Sequence, residues 1–118
     1  MPLSSYLSLD VRRAGGECVI CVQGDIDLST LEEATAALAT AREGATTLLL
    51  DLRGVGFMDT SGLRLVIEEQ RRARAGGYRF SVVPGPSRVQ RLFEIAGFAP
   101  DDELFVEAPT PPGGGGRA

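Results

Sequence analysis

The 118-residue sequence contains no histidine and no lysine, so its 12 positive charges are all arginine, and it has only two cysteines. Each of these shortages excludes a class of site. A Walker-type phosphate loop requires a lysine, and a Ser-His-Asp triad requires a histidine. Two cysteines without histidine cannot complete the four-ligand shell of a zinc site. The chemistry that remains is acid–base work by carboxylates, reactions of hydroxyl groups, and binding.

Long hydrophobic runs are also missing. Residues 1–16 lack the continuous apolar core of a signal peptide, and no later segment approaches the roughly 18 apolar residues of a membrane span. The net charge of −4 and the absence of any arginine run longer than Arg71–Arg72 argue against a nucleic-acid-binding protein. We therefore expect a cytoplasmic protein that binds neither a membrane nor nucleic acid directly.

The two cysteines, Cys18 and Cys21, have the CxxC spacing of redox enzymes. They lie in a β-branched segment, residues 17–22, which is typical of a strand. A separation of three residues places two side chains on opposite faces of a strand. We therefore expect two unpaired thiols in a reducing compartment rather than a redox site.

Hydrophobic periodicity predicts strands and helices in the order ββαβαβα, with a weak final strand at residues 104–106. The stronger strands are predicted at residues 6–12, 18–23, 46–52 and 78–83, and the helices begin after Ser29 or Thr30, at about Ser61 and after Ser87. The first two strands form an antiparallel pair, whereas strands joined through helices run parallel. The prediction is an α/β fold with a mixed, mostly parallel central sheet of about four to five strands and three or more helices. This single domain covers residues 1–107, and the Pro/Gly-rich residues 108–118 are predicted to form a disordered tail.

The boundaries of these elements follow from local signals. Gly24–Asp27 is predicted to break the second strand, and residues 53–60 to form a loop after the apolar central strand. Ser87 is predicted to cap the third helix. The core face of the second helix is predicted to include Leu63, Val66, Ile67 and Gln70, and that of the third helix Val89, Leu92, Phe93 and Ala96.

The most informative segment, residues 56–63, lies where the central strand leads into the second helix. It places a carboxylate, Asp59, beside two hydroxyls, Thr60 and Ser61, at a helix N-terminus, whose free N–H groups favour an anion. One interpretation is structural: one of the three side chains caps the helix, and Gly62 permits close packing. The other is functional: Thr60 or Ser61 accepts a phosphate, which adds about −1.5 to −2 charges at pH 7.

A second acidic segment, Gly24–Asp27, ends the neighbouring strand. Parallel neighbours bring such strand-to-helix junctions to the same edge of a sheet, so Asp27 is predicted to approach Thr60 and Ser61. The alternative is that Asp27 caps the first helix or interacts with its dipole.

Four segments together resemble a known family. They are Gly24–Asp27, the strand at 48–52, the segment Phe57–Leu63 with its Asp-Thr-Ser-Gly-Leu element, and the pattern from Pro86 to Phe98. In order and spacing they are similar to the G-E-L-D, D-S-S/T-G-L and final-helix patterns of the STAS domain of anti-sigma factor antagonists. The resemblance covers residues 8–106 and implies a STAS-like fold.

The resemblance implies a switch in protein binding rather than an enzyme, with no cofactor and no metal ion in this chain. An unphosphorylated antagonist of this family binds an anti-sigma factor that is also a serine kinase, and thereby releases a sigma factor. The kinase uses ATP to phosphorylate the hydroxyl directly after the aspartate, the complex dissociates, and a metal-dependent phosphatase restores the antagonist. By position, Asp59 matches that aspartate, Thr60 the phosphoacceptor and Ser61 the hydroxyl that follows.

The surface that the resemblance implies for partner binding comprises Asp25, Asp27, Asp59, Gly62 and Leu63. Threonine stands at the usual serine position, and its β-methyl group restricts the rotamer of the hydroxyl. Three alternatives follow: the kinase accepts Thr60, Ser61 is the acceptor, or phosphate does not regulate the site.

Other classes of function remain open. A STAS-like scaffold or docking subunit, in a stress-signalling complex or in lipid-transport machinery, would bind through the same element without phosphate cycling. An independent nucleotide-hydrolysing enzyme is disfavoured because the chain has no lysine and no glycine-rich phosphate loop.

Overall fold

Seven elements fold in the predicted order within residues 6–109, the part of the chain that the structure, a computed structural model, describes. They are β1 (Leu7–Ala14), β2 (Glu17–Ile26), α1 (Leu31–Arg42), β3 (Thr47–Met58), α2 (Thr60–Gly76), β4 (Arg79–Val83) and α3 (Ser87–Ile95). Most of the predicted tail, residues 110–118, lies outside the described residues. The α/β class and the three helices are therefore confirmed for the described part.

The described strands form a sheet in the order β1-β2-β3-β4, in which β1 is antiparallel to β2 and the other neighbours run parallel. The apolar strand β3 lies between β2 and β4, as predicted. The weak final strand shrinks to a bridge between Val82 and Phe105, because only Val82 exchanges backbone hydrogen bonds with that segment. The sheet is mixed and mostly parallel, as expected from the helical connections.

One face of the sheet holds the core. Alternate strand residues such as Ile20, Leu50 and Val82 are almost fully buried, and they belong to one cluster with residues of all three helices. Cys18 lies on this face, whereas Cys21 is half-buried on the other face. Both thiols are free, as the strand geometry predicted.

Two strands are longer than predicted. Gly24 does not break β2, which continues to Ile26 through irregular pairing with β3. The backbone at Gly24 has φ +105, and a Cβ there would lie 2.1 Å from the carbonyl oxygen of Tyr6, so only glycine allows the strand to continue. The predicted loop at 53–60 is wrong as well, since β3 extends to Met58.

The start of α3 also differs from the prediction. Ser87 is the first residue of the helix and does not cap it, because Pro86 occupies the preceding position without a side-chain hydrogen bond. The carbonyl of Pro86 instead accepts from the N–H groups of Val89 and Gln90. Ala96, assigned to the core face, is exposed because the helix ends at Ile95.

A buried polar cluster joins α1, α2 and the start of β4, and hydrophobic periodicity did not reveal it. Glu69 is only 1% exposed. Its carboxylate accepts from the Arg42 guanidinium at 2.8 and 3.1 Å and from the Tyr78 hydroxyl. A carboxylate is tolerated inside a protein when it is paired and hydrogen-bonded in this way. The cluster therefore fixes how the end of α1 packs beside α2.

The phenol of Tyr78 in this cluster makes the stability of the fold decrease at alkaline pH. Burial, reinforced by the hydrogen bond to Glu69, raises the pKa of Tyr78 from 10.0 to about 12. Between those values the folded chain keeps a proton that the unfolded chain loses, so the free energy of unfolding falls as the pH rises. We expect the full contribution below pH ~10 and a progressive loss towards pH ~12.

Urea unfolding at pH 8, 10 and 11 checks this expectation. Tyr78→Phe removes the titrating group, so its stability should fall less steeply over this range than that of the wild type. Tyr6→Phe is the control, because Tyr6 is 60% exposed and lies outside the cluster. Equal slopes for the wild type and Tyr78→Phe would contradict the assignment.

Candidate functional site

Two strand-to-helix junctions lie side by side at the carboxyl edge of the sheet. Ile26, the last residue of β2, pairs with Met58, the last residue of β3. The N–H of Asp59 also donates to the carbonyl of Ile26 at 3.3 Å. The segments that follow, beginning at Asp27 and Asp59, therefore start next to each other, as the parallel topology predicted.

Asp59 is the N-cap of α2. Its carboxylate accepts from the N–H of Ser61 at 2.8 Å and from that of Gly62 at 3.4 Å. Of the three candidate caps, Asp59 is thus the one in use, and the capping interpretation is confirmed for it. The hydroxyls of Thr60 and Ser61 are not used for this purpose.

Thr60 is exposed at the first position of α2, whereas Ser61 is half-buried. Neither hydroxyl makes a hydrogen bond with any residue in 6–109. Thr60 opens onto a shallow surface groove that is also lined by Leu63 and Arg64. Thr60 is therefore the more exposed of the two residues.

Asp27 organises the neighbouring junction in the same manner. Its Oδ1 accepts from the backbone N–H and the hydroxyl of Ser29, at 2.9 and 2.7 Å, and from the N–H of Thr30 at 3.2 Å. Thr30 does precede α1, but its hydroxyl does not cap the helix. It donates to the carbonyl of Asp25 at 2.8 Å and is 2% exposed. Asp27 therefore holds the turn that precedes α1, and it does not cap the helix as the structural alternative proposed, because α1 begins at Leu31 without a side-chain cap.

The other residues assigned to partner binding differ in their exposure. Asp25 is half-exposed and pairs with Phe57 near the end of β2. Gly62 is buried, and Leu63 is a half-buried side chain that packs against the core. The edge thus presents carboxylates and a hydroxyl to solvent, whereas Gly62 and Leu63 mainly pack α2 against the core.

Sequence reasoning missed the exposed apolar side chains at this edge. Leu28, directly after Asp27, is 75% exposed, and Phe57 is 46% exposed. A solvent-facing apolar residue between polar groups is a frequent feature of protein-binding surfaces. The available signal was that Leu28 lies outside the periodic apolar stripe of α1.

The described residues contain no group of three or more His, Cys, Asp or Glu side chains that is suited to hold a metal ion. None of the helices in residues 6–109 is long and apolar enough to cross a membrane. Asp25, Asp27 and Asp59 lie at one edge of the sheet and give the site a negative charge.

Gly62 is needed because α2 approaches the strand ends closely. A Cβ at Gly62 would lie 2.5 Å from Cγ of Met58 and 2.9 Å from Cγ2 of Ile26, both of which are buried. We expect Gly62→Ala to lower the free energy of unfolding, because overpacking costs about 1–3 kcal/mol and outweighs the ~1 kcal/mol gained in helix propensity.

Urea denaturation of Gly62→Ala and of a matched control checks this. The control is Gly56→Ala, because a Cβ at Gly56 has Asp25 Oδ1 at 3.8 Å as its nearest neighbour. The control should keep wild-type stability within about 0.5 kcal/mol. A Gly62→Ala protein as stable as the control would contradict the close packing.

Comparison with known proteins identifies the fold and the family. A family model described as "Mlab, STAS domain" matches residues 9–106. The anti-sigma F factor antagonist of Lysinibacillus sphaericus is 31% identical over 85 residues, which cover 70% of this chain and 72% of the relative.

Solved structures agree on the fold. The anti-sigma factor antagonist SpoIIAA in its unphosphorylated form superposes with a TM-score of 0.72 at 24% identity, covering 86% of this chain and 89% of that one. An anti-sigma factor antagonist from Mycobacterium paratuberculosis gives the same TM-score and identity and covers 89% and 87%. Phosphorylated SpoIIAA from Bacillus gives 0.68 at 23% identity, with 86% and 92% covered. The chain therefore belongs to the STAS domain family of anti-sigma factor antagonists.

Proposed function

We propose that this chain binds an anti-sigma factor through the carboxyl edge of its sheet, and that phosphorylation of Thr60 by that partner ends the binding. The observation behind the proposal is the exposed Thr60 hydroxyl, which makes no hydrogen bond with a described residue and stands beside the capping carboxylate of Asp59. The relative from Lysinibacillus sphaericus, an anti-sigma F factor antagonist, supports the class of partner.

The surface at this edge suits a protein partner better than a small molecule. Leu28 and Phe57 offer apolar contact area. Asp25 pairs with Phe57 across the two strands, and Asp27 directly precedes Leu28. Protein interfaces combine apolar anchors with a polar rim in this manner. The groove beside Thr60 is open to solvent, as a surface that docks a folded partner requires.

The phosphoryl transfer takes its catalytic groups from the partner. The oxygen of Thr60 attacks the γ-phosphorus of ATP held by the kinase, the bond to the bridging oxygen breaks, and ADP leaves. The hydroxyl proton passes to a base of the kinase, because the neighbouring Asp59 carboxylate is engaged in capping α2. The role of Thr60 is to present a hydroxyl at a fixed position on a rigid helix.

Phosphate at this position would change the surface without unfolding the helix. It adds about −1.5 to −2 charges at a helix N-terminus, where the dipole favours an anion. Arg64, one turn further along α2, lies in the same groove and partly offsets the new charge. The partner, in contrast, meets added charge next to Asp25, Asp27 and Asp59, which disfavours a desolvated contact.

Thr60 is preferred to Ser61 as the acceptor on structural grounds. Thr60 is exposed, whereas Ser61 is half-buried and its N–H is held by Asp59. A kinase must reach the acceptor oxygen from outside the helix, and the greater exposure of Thr60 favours it for this role.

Capture of the partner followed by addition of ATP tests the acceptor. The unmodified protein should bind a kinase-type anti-sigma factor, gain one phosphate within the peptide spanning residues 56–64, and be released. Thr60→Val keeps the shape of the side chain but not the hydroxyl, so this variant should bind and then neither gain phosphate nor dissociate. Ser61→Ala should behave like the wild type.

Other results would separate the alternatives. Loss of phosphate uptake in Ser61→Ala but not in Thr60→Val would transfer the acceptor role to Ser61. Stable capture of a partner with no phosphate transfer in any variant would contradict the switch and favour a scaffold or docking subunit.

Leu28 is predicted to anchor the partner. We expect Leu28→Ser to weaken binding roughly 5- to 30-fold, about 1–2 kcal/mol, because truncation removes exposed apolar area at this edge. The matched control is Ile95→Ser. Ile95 is 76% exposed, nearly as much as Leu28 at 75%, but it is the last residue of α3 and belongs to neither of the two junctions at the carboxyl edge.

Calorimetric titration of both variants with the captured partner measures the difference. Ile95→Ser should bind like the wild type. Equal affinities for the two variants would contradict the placement of the partner at the carboxyl edge.

A further inference from the structure

The outer edge of β1 is a second surface that the switch does not use. β1 is the terminal strand of the sheet, and on its outer side it pairs with no strand in residues 6–109. An unpaired edge of this kind is a template for an additional strand. β1 runs for eight residues and includes Val11, which is 45% exposed.

The direction of the backbone groups along β1 follows from its pairing with β2. The carbonyl of Tyr6 accepts from the N–H of Asp25, so the backbone of Tyr6 faces β2. In an antiparallel pair the backbone groups alternate in direction. Those of Ser8, Asp10 and Arg12 therefore also face β2. The N–H and carbonyl groups of the residues between them face outwards, and these residues are Leu7, Leu9, Val11 and Arg13.

Two opposite charges lie next to each other on this strand. Asp10 and Arg12 point to the same face of the sheet and form an exposed ion pair at 3.0 Å. Arg13, on the other face, is already engaged, because its guanidinium donates to backbone carbonyls at the end of α1. The charges at positions 10 and 12 therefore decide which strand can lie alongside.

We propose that β1 pairs antiparallel with β1 of a second copy of this chain, about a two-fold axis at Val11. In this register Val11 faces Val11 of the partner subunit as a hydrogen-bonded pair, and Leu9 faces Arg13 of the partner subunit. Asp10 then lies opposite Arg12 of the partner subunit, and Arg12 opposite Asp10 of the partner subunit. All outward backbone groups near the axis find partners, and each charge has an opposite charge both along and across the strands.

Neighbouring registers are disfavoured by the same charges. The outward backbone groups must face one another, so the alternatives shift the axis by one residue in either direction. With the axis at residue 10, Asp10 faces Asp10 of the partner subunit. With the axis at residue 12, Arg12 faces Arg12 of the partner subunit. Like charges directly opposite each other destabilise a strand pair, so the sequence of β1 selects one self-complementary register.

The pairing would leave both switch sites accessible. The Thr60 edge lies at the carboxyl ends of β2 and β3, whereas the axis passes through the middle of β1. Because the two subunits run in opposite directions, their Thr60 edges would lie at opposite ends of one continuous sheet. The dimer could thus bind two partner molecules at once.

Charge reversal tests the proposal on the full chain by sedimentation equilibrium from micromolar to about millimolar concentration. The wild type should dimerise. Asp10→Arg and Arg12→Asp each place like charges opposite one another, so each should raise the dimer dissociation constant about tenfold or more. The double variant Asp10→Arg/Arg12→Asp restores opposite pairs and should recover the wild-type constant.

Amide hydrogen exchange distinguishes this interface from any other. The outward amides of Leu9, Val11 and Arg13 should gain protection as concentration rises, and circular dichroism should confirm that all variants are folded. A wild type that stays monomeric at every concentration, or a dimer that neither single charge reversal weakens, would overturn the proposal.

Discussion

The side-by-side pairing of β2 and β3 up to their last residues is the interaction on which the site depends. Ile26 opposite Met58, with the Asp59 N–H bound to the Ile26 carbonyl, brings two junctions that are more than 30 residues apart in sequence to one edge. The glycine at position 24 allows β2 to continue past the close approach of Tyr6 and to reach that edge. Gly62 then lets α2 begin directly over the paired strand ends. Without this pairing, the carboxylates and the hydroxyl would belong to unrelated loops.

The acidic residues of the two junctions can shape the backbone and still contribute charge to a switch. Asp27 and Asp59 each use a carboxylate oxygen to hold the N–H groups of the turn that follows. Each thereby shapes its own junction and adds negative charge to the edge. Because Asp59 occupies the helix N–H groups, the hydroxyl of Thr60 is not drawn into a cap and stays exposed. A phosphate on Thr60 would then change the surface that a partner meets rather than the packing beneath it.

The success and failure of sequence reasoning can be traced to particular elements. The nearly continuous apolar first half of β3 predicts a central strand, whereas Arg53, Gly54 and Gly56 interrupt the pattern in its second half and predict a loop. Pairing of Gly54, Val55, Phe57 and Met58 with the extended β2 makes this second half a strand. Residue type predicts Ser87 as a cap, whereas Pro86 holds that position and its carbonyl accepts from the N–H groups of Val89 and Gln90. The burial of Glu69 could not be predicted from the sequence, because the residues that bind its carboxylate, Arg42 and Tyr78, lie outside α2.

The sequence by itself determined the element order, the parallel topology, the family and the segment in which Thr60 and Asp59 lie. These depend on local periodicity, on short-range capping chemistry and on motif spacing, all of which are encoded in contiguous residues. Only the tertiary structure decided that Thr60 is more exposed than Ser61, that Asp59 caps α2 whereas Asp27 holds the turn before α1, and that Leu28 and Phe57 lie at the same edge. Burial and exposure depend on contacts between residues far apart in the chain, and a linear pattern does not contain those distances.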